Sequence, residues 1–479
     1  MPQASLPFLL AEYSYELTDA GLIRGGAVAL PSEASWRASK EYYINDERIA
    51  DSFGKTLSPL SSDWVDVALA TYLADRLSPR VGLNPSRKFR NWRRVIHLKI
   101  PVRRPDVWKR PEVKNALTNL LSFLTDDFWR ISFVNRRSMG RQAENNQYLF
   151  SNKPRKPIHV ALFSGGLDSF CGAAIEMAQS PRASFVFVSA VSNSTQRFAQ
   201  RGQMKAITRE FKPKDVRHVA IPFGVRWHGK KARGAGEEPS QRGRGFLFLT
   251  LGAVTAIACG ASELSVYENG IGAINLPYDA SQLSAASTKA VHPVALLKMS
   301  DFITALRGRK FSVRSPFVYR TKGDMCNEPA VQRVSDYLRL TFSCDGFPVQ
   351  VKNKPQCGSC ASCLLRRLSL HAADLMKFDP GSGYMADLVA GKASDRRLRY
   401  LRVMDWQYQK IKRLLNSESP WVSLTIEFPD LKGISAELSK RGHVTESDVQ
   451  HSILGLYSRY VEEWDGFPAR EFLIRKRAA

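Results

Sequence analysis

A chain of 479 residues, 44% hydrophobic and 24% charged, has room for two or three domains and the composition of an ordinary globular protein. Its longest apolar run, residues 246–259, is too short to cross a bilayer, and no basic segment precedes the apolar patch at 7–11. Membrane-spanning and secreted classes are therefore set aside and a cytoplasmic protein is expected, while the net charge of +25 calls for a polyanionic partner such as nucleic acid, a nucleotide-rich substrate or an acidic protein, with a solvated basic surface as the alternative.

Residues 1–150 read as a separate α+β domain of unassigned role. Apolar spacing predicts helices over 64–77 and 113–124, and strands over 94–102 and 129–134. Between residues 87 and 110, ten Lys or Arg stand against one acid, Asp106, interleaved with Phe89, Trp92 and Trp108. Such a stretch suits RNA or single-stranded DNA, or a basic face beside an acidic partner subunit. A polar linker follows over 136–157.

From 158 onward strands and helices alternate. Residues 158–163 are apolar and β-branched and predict a buried strand ending at Phe163, and 171–177 predict a helix. Between them lies Ser164-Gly165-Gly166-Leu167-Asp168-Ser169. Backbone N–H groups at a helix start lack intrahelical partners, and two glycines let a ligand approach them, so this turn is expected to cradle phosphate oxygens. Ser164 and Ser169 can add hydroxyl donors, while Asp168 is suited to holding Mg²⁺ or orienting the loop. Further strands at 184–190, 216–221, 264–267 and 311–314 alternate with helices at 196–211, 246–259 and 291–306. That order predicts an α/β parallel sheet with helices on both faces and ligands beyond the carboxyl ends of its strands. Asn193 and the run Glu268-Asn269-Gly270 should share that edge.

The stretch 222–245 reads as a basic, glycine-rich loop, either a lid or disordered surface, with Arg226, Lys230, Lys231, Arg233, Arg242 and Arg244. Arg244, opening the next helix, is best placed to meet a carboxylate or phosphate. Lys322 sits between the fifth strand and a helix, where it can meet phosphate. Cys344, Cys357, Cys360 and Cys363 have the spacing C-x12-C-x2-C-x2-C, which suits a closed tetrahedral Zn²⁺ site, with an iron–sulfur cluster or four free thiols as competing readings. Cys171 and Cys259 fall on apolar helices and read as core. Residues 376–479 predict a helical appendix: an apolar face at Leu401, Tyr408, Ile411 and Leu415, then a capping box at Thr445 and a stripe from Val449 to Trp464.

The motif at 164–169 resembles the PP-loop of the ATP-pyrophosphatase superfamily, which implies an adenine-nucleotide α-hydrolase-like sheet over 156–375. The succession of that motif, Arg244-x-Phe246-Leu247, a glycine loop near 270, Thr321-Lys322 and Ser343-Cys344 with Cys357-Gly358-x-Cys360-x-x-Cys363-x-x-Arg366 resembles the QueC-like 7-cyano-7-deazaguanine synthases. The resemblance implies four zinc-binding cysteines. It also implies an ATP- and Mg²⁺-dependent ligase that adenylates the carboxylate of 7-carboxy-7-deazaguanine before an amine attacks it. It further implies ATP contacts from Phe163 to Ser169 and at Asn193, catalytic roles for Ser164, Asp168, Ser169, Arg244, Glu268 and Lys322, and deazapurine contacts at Asn269, Gly270, Asn275 and Asp279. Glu268 or Asp279 would orient the amine or take its proton.

The sequence departs from that family at Arg244-Gly245 and over 268–277, on the substrate side. With its long front region and helical tail it looks more like the QatC branch of anti-phage Qat systems and its relatives in type IV CBASS. The acceptor there would be the amino terminus of a partner protein rather than ammonia. Synthesis of the nitrile, modification of tRNA by a related PP-loop enzyme favoured by the basic front region, and a non-catalytic nucleotide-binding scaffold are the alternatives.

Overall fold

The computed structural model describes residues 11–18, 21–24, 40–80, 93–137, 140–227, 238–278, 289–347, 354–442 and 444–478. Their strands, in chain order, are β1 (Ala11–Thr18), β2 (Gly21–Arg24), β3 (Lys40–Ile44), β4 (Arg94–Val102), β5 (Phe128–Asn135), β6 (Ile158–Leu162), β7 (Ser184–Val191), β8 (Asp215–Trp227), β9 (Glu263–Val266) and β10 (Ser312–Arg314). They form two sheets, ordered β2-β1-β4-β5 and β10-β9-β6-β7-β8-β3.

The larger sheet is the expected α/β core. Strands β10, β9, β6, β7 and β8 run parallel. β7 is buried along nearly its whole length, as a central parallel strand covered on both faces must be. The chain starts at β6, winds out through β7 to β8, then returns to the other side of β6 for β9 and β10. The reversal leaves a crevice at the carboxyl ends of β6 and β9, the place where open α/β sheets take ligands.

Part of the stretch expected as a loop at 222–245 is strand instead. β8 runs on to Trp227 because β3, from far upstream, pairs with it antiparallel from Ile44↔Phe223 to Lys40↔Trp227. Gly224 has no side chain for a local reason: a Cβ there would lie 2.8 Å from the Tyr43 hydroxyl. Lys230, Lys231 and Arg233 lie outside the described residues. Arg242 is buried in an ion pair with Asp126, which also binds Lys289 at 2.8 Å.

The four-stranded sheet does not stand apart from the larger one. Helices Pro59–Leu77, Pro111–Thr125, Arg244–Cys259 and Pro293–Arg307 lie between the two and share one hydrophobic core, from Tyr13 to Val313. Phe302 is packed by Trp64, Trp108 and Phe246 at ring distances of 5.7, 6.2 and 5.9 Å. Aromatic rings from both sides of residue 150 therefore meet on one side chain. The basic stretch is drawn into this layer as well. Arg94 is buried between Asp75 and Asp127, and Arg103 binds Asp63 and Asp66 at 3.0 and 2.9 Å. Buried guanidinium groups need such partners. Trp108 is core, while Phe89 and Trp92 lie outside the described residues.

On the other face of the larger sheet, helices Leu167–Gln179 and Ser194–Phe211 cover Phe163, Phe185 and Phe187. The C-terminal helices form a third core, with Leu401, Tyr408, Ile411, Val449, Ile453, Leu456 and Trp464 packed on Ile274, Leu276 and Leu368. Among the described residues no helix is long and apolar enough to cross a membrane.

Candidate active site

The turn after β6 is built from its own side chains. Gly165 has φ +85°, a conformation that excludes most L-residues, and Gly166 caps the helix Leu167–Gln179. The Gly166 N–H donates to Ser164 Oγ at 3.2 Å, and the Gly165 N–H donates to Ser169 Oγ at 3.1 Å. Ser169 Oγ in turn donates to the Gly166 carbonyl at 3.0 Å. Both serines therefore brace the turn in this state. Among the described residues no hydrogen bond engages the N–H groups of Leu167, Asp168 or Ser169. Those three donors, with the positive end of the helix, are a place where an anion could be held.

Two residues that the sequence reading passed over hold the turn from beneath. Gln200 Nε2 donates to the Ser164 carbonyl at 3.0 Å, and Gln203 Nε2 donates to the carbonyls of Gly165 and Leu340 at 2.9 and 2.8 Å. Both are buried on the face that also carries Met204 and Ile207. Two amides in an otherwise apolar i, i+3, i+4, i+7 face were the available signal. Asn193 caps the same helix, accepting from the Gln196 N–H at 2.8 Å.

The ends of β6, β9 and β10 bring four of the candidate residues together. Lys322 Nζ lies 2.8 Å from Asp168 Oδ2. Asn269 Nδ2 donates to both Asp168 Oδ1 at 2.9 Å and Glu268 Oε1 at 3.0 Å. Two carboxylates thus converge on one amide, with one ammonium to balance them. Burial, and next the charge on Asp168, push the Glu268 carboxyl up to about 8. Burial disfavours the Lys322 charge, but Asp168 and Glu268 outweigh it and raise Lys322 above its ordinary value.

The other candidates take different places. Gly270 donates its N–H to the Arg320 carbonyl at 2.7 Å and lies so close to Val318 that a Cβ would be 2.1 Å from its carbonyl oxygen. Asn275 ends the short helix Gly270–Ile274 in the left-handed conformation, φ +50°. Asp279 lies outside the described residues. Arg244 stacks over Phe248 at 4.9 Å, and burial followed by the nearby Arg76 charge lowers its pKa. These neighbours belong to the layer between the sheets, not to the Asp168 cluster. Its guanidinium forms no ion pair among the described residues, and its Nε is buried without a partner.

The C-terminal helix Glu446–Asp465 clamps the Lys322 turn. Thr321 donates its hydroxyl to Glu463, and a Cβ on Gly323 would come within 2.2 Å of Glu463 Oε1. Arg459 donates to Asp324 Oδ2 at 2.9 Å and to the Tyr319 carbonyl at 2.6 Å. Burial lifts the Glu463 carboxyl to about 7 against the opposing Thr321 bond. Since the folded pKa exceeds the unfolded one, stability is highest below the unfolded value and falls as pH rises toward 7. Glu463→Gln should therefore flatten the loss of melting temperature between about pH 5 and pH 8, removing a cost on the order of 2 kcal/mol. Identical slopes in the two proteins would refute this.

The four cysteines form a cluster that could hold a metal ion such as zinc: all four Sγ atoms lie within 4.8 Å of one another. A tetrahedral site with metal–sulfur bonds of about 2.3 Å has sulfur–sulfur edges of about 3.8 Å, and Cys357 Sγ and Cys363 Sγ are 3.9 Å apart. Backbone N–H groups of Cys357, Cys360 and Cys363 point at sulfurs from 3.3 to 3.4 Å, as thiolates require. The cluster also braces the turn. Two residues before Cys344, the Phe342 N–H donates to the Gly165 carbonyl at 3.2 Å. Fully buried Arg366, on the helix that starts at the cluster, binds Asp379 at 2.8 Å, the Tyr384 hydroxyl and Leu338 carbonyl at 3.0 Å, and the Thr341 hydroxyl.

Neither a protein-family model nor a curated protein matches the chain.

Proposed function

We propose that the protein uses ATP to activate a carboxylate and passes the acyl group to an amine. The observation that carries this reading is the Asp168–Lys322–Asn269–Glu268 cluster at the free N–H groups of the turn, in the crevice beside β6. A carboxylate is a poor electrophile because its leaving group would be oxide. Attack of one of its oxygens on the α-phosphorus breaks the bond to the β-phosphate oxygen, releasing pyrophosphate and leaving an acyl-adenylate. The three N–H groups and Lys322 are suited to stabilise the departing pyrophosphate. The amine then attacks the acyl carbon, AMP leaves, and Glu268 takes the proton. With its carboxyl pushed to about 8, Glu268 takes the proton through its ionised fraction, so transfer should speed up as pH rises toward 8.

Asp168 is the residue that would hold Mg²⁺, since each of its oxygens has one partner and keeps lone pairs free. Bound there, the cation would offset negative charge on the phosphates. The cysteine cluster, closed on all sides by thiolates, would hold Zn²⁺ as a structural ion. The resemblance of the motifs to QueC-like synthases supports a deazapurine acid as the substrate, and the altered stretch 268–277 supports a partner protein's amino terminus as acceptor in an anti-phage role.

Pyrophosphate release measured with ATP and 7-carboxy-7-deazaguanine tests the first step. Release only with tRNA, or none at all, overturns the reading. In Glu268→Gln, exchange of labelled pyrophosphate into ATP should persist while transfer to the amine slows by about 10²–10⁴-fold. Full transfer by that variant would remove Glu268 from the mechanism.

A further inference from the structure

We infer that the arginine pocket beside the cysteine cluster, together with the helix leaving it, binds single-stranded nucleic acid. The cavity, about 620 Å³, is lined by Ser359, Ser394, Arg396, Arg397, Arg399 and Tyr400, with Cys357 and Cys360 at its wall. Helix Arg399–Leu415 starts there with no acid in its first turn. Arg396, Arg397, Arg399 and Arg402 therefore crowd the positive end of a helix dipole, where cations are destabilising and an anion is favoured. A Cys₄–Zn²⁺ centre at the pocket wall would carry two negative charges against four arginines, which leaves the pocket net positive and suited to an anion.

Two nearby carboxylates are committed to other cations, although Asp395 also feels the Arg402 charge. Asp395 is taken by Lys476 at 2.6 Å, and buried Asp405 by Arg470 at 3.1 Å. Arg396, Arg399, Arg402 and Arg413 form no ion pair among the described residues. Arg397 reaches only Ser359 Oγ, at 3.4 Å. Beyond the pocket the exposed face of the helix carries Arg399, Arg402, Trp406 and Arg413, at spacings that keep them on one side. From Arg399 to Arg413 this face runs about 21 Å at about 1.5 Å per residue.

The aromatic residues decide which polyanion fits. Tyr400 and Trp406 are 38% and 46% exposed. Lys410, paired with Glu427, lies 4.0 Å over the Trp406 ring. Exposed rings between cations serve stacked bases, and only unpaired strands offer base faces. An acidic peptide would use the arginines but offers no flat face to Tyr400 or to the side of the Trp406 ring that Lys410 does not cover. In the other basic stretch, Arg94 and Arg103 are matched by acids inside the protein. This inference does not depend on the reaction proposed above.

The test is fluorescence anisotropy of the full, metal-loaded chain with labelled oligouridylate and oligothymidylate of about ten nucleotides, and with an oligoglutamate of similar length. Both oligonucleotides should bind, with affinity falling steeply as salt rises. A preference between them identifies RNA or DNA as the source. Trp406→Ala should weaken binding by about 5-fold or more through lost stacking. Arg396→Ala/Arg399→Ala/Arg402→Ala should weaken it by at least about 10-fold and flatten the salt dependence. Because the three arginines are exposed, the triple variant should keep its melting temperature, whereas Trp406→Ala removes a half-buried ring and its affinity is read beside its own melt; Arg413→Glu gives an independent variant at the far end. Unchanged affinity in all three variants, absence of oligonucleotide binding, or equal binding of oligoglutamate would overturn the inference.

Discussion

Lys322→Met should abolish pyrophosphate release, lowering it by about 10²–10³-fold or more, and should also destabilise the fold by about 3–5 kcal/mol. Both effects follow from one contact. Lys322 Nζ is 2.8 Å from Asp168 Oδ2, and both side chains are buried. Removing the ammonium leaves Asp168 and Glu268 converging on Asn269 with no balancing charge. With Glu268 already mostly protonated near neutral pH, the Asp168 carboxylate is the charge left buried, and it must take up a proton or move toward solvent. The double variant Asp168→Asn/Lys322→Met removes the unbalanced charge and should recover most of the stability without recovering turnover. Denaturant melts of the two variants beside a pyrophosphate assay check this. If the single variant is as stable as the double, Asp168 is not held by Lys322 in solution. If turnover returns in the double variant, the pair is a structural tie and the anion is handled elsewhere.

Much of this site could be read along the chain because its parts are local. A strand, a Gly-Gly turn and a helix occupy consecutive residues, and the cysteine spacing has its own geometry. The stripe from Val449 to Trp464 and the Thr445–Asp448 capping box are present as expected, because helical periodicity is a short-range signal. What escaped depends on distant residues. The end of β8 at Trp227 is set by β3, which pairs with it across roughly 180 residues of chain. The meeting of Trp64, Trp108 and Phe246 on Phe302 leaves no mark in any one window of sequence. Gln200, Gln203 and Glu463 look like ordinary helix polar residues until the loops they hold are in place. Charge misled for the same reason. Arg94 and Arg103 read as surface cations because Asp75, Asp127, Asp63 and Asp66 lie elsewhere in the chain. Among the described residues, Arg396, Arg399, Arg402 and Arg413 of the C-terminal segment form no ion pair.

Stripping the metal from the cysteine cluster should cost several kcal/mol of stability and, with it, most of the affinity for nucleotide. Without a cation the clustered cysteines, all within 4.8 Å of one another, take up protons and lose the bonds that tie them together, and structural zinc in small sites contributes on the order of 10 kcal/mol or more. The loss should not stay local. The strand of contacts from Cys344 back to Phe342 and Gly165, and from Cys363 on to Arg366, Thr341 and Leu338, ties the cluster to the turn that would hold phosphate. Metal analysis of the purified chain should find one zinc per chain, and Cys363→Ser should lower both the zinc content and the melting temperature. Gln203→Ala separates the two roles. It leaves the cysteines untouched but removes the amide bridging Gly165 and Leu340. It should retain zinc and most of the stability while weakening nucleotide binding by about 10-fold, the worth of a buried hydrogen bond or two. If Cys363→Ser loses zinc yet binds nucleotide normally, the cluster and the turn are independent. If Gln203→Ala binds nucleotide normally, the turn is held by its serines alone.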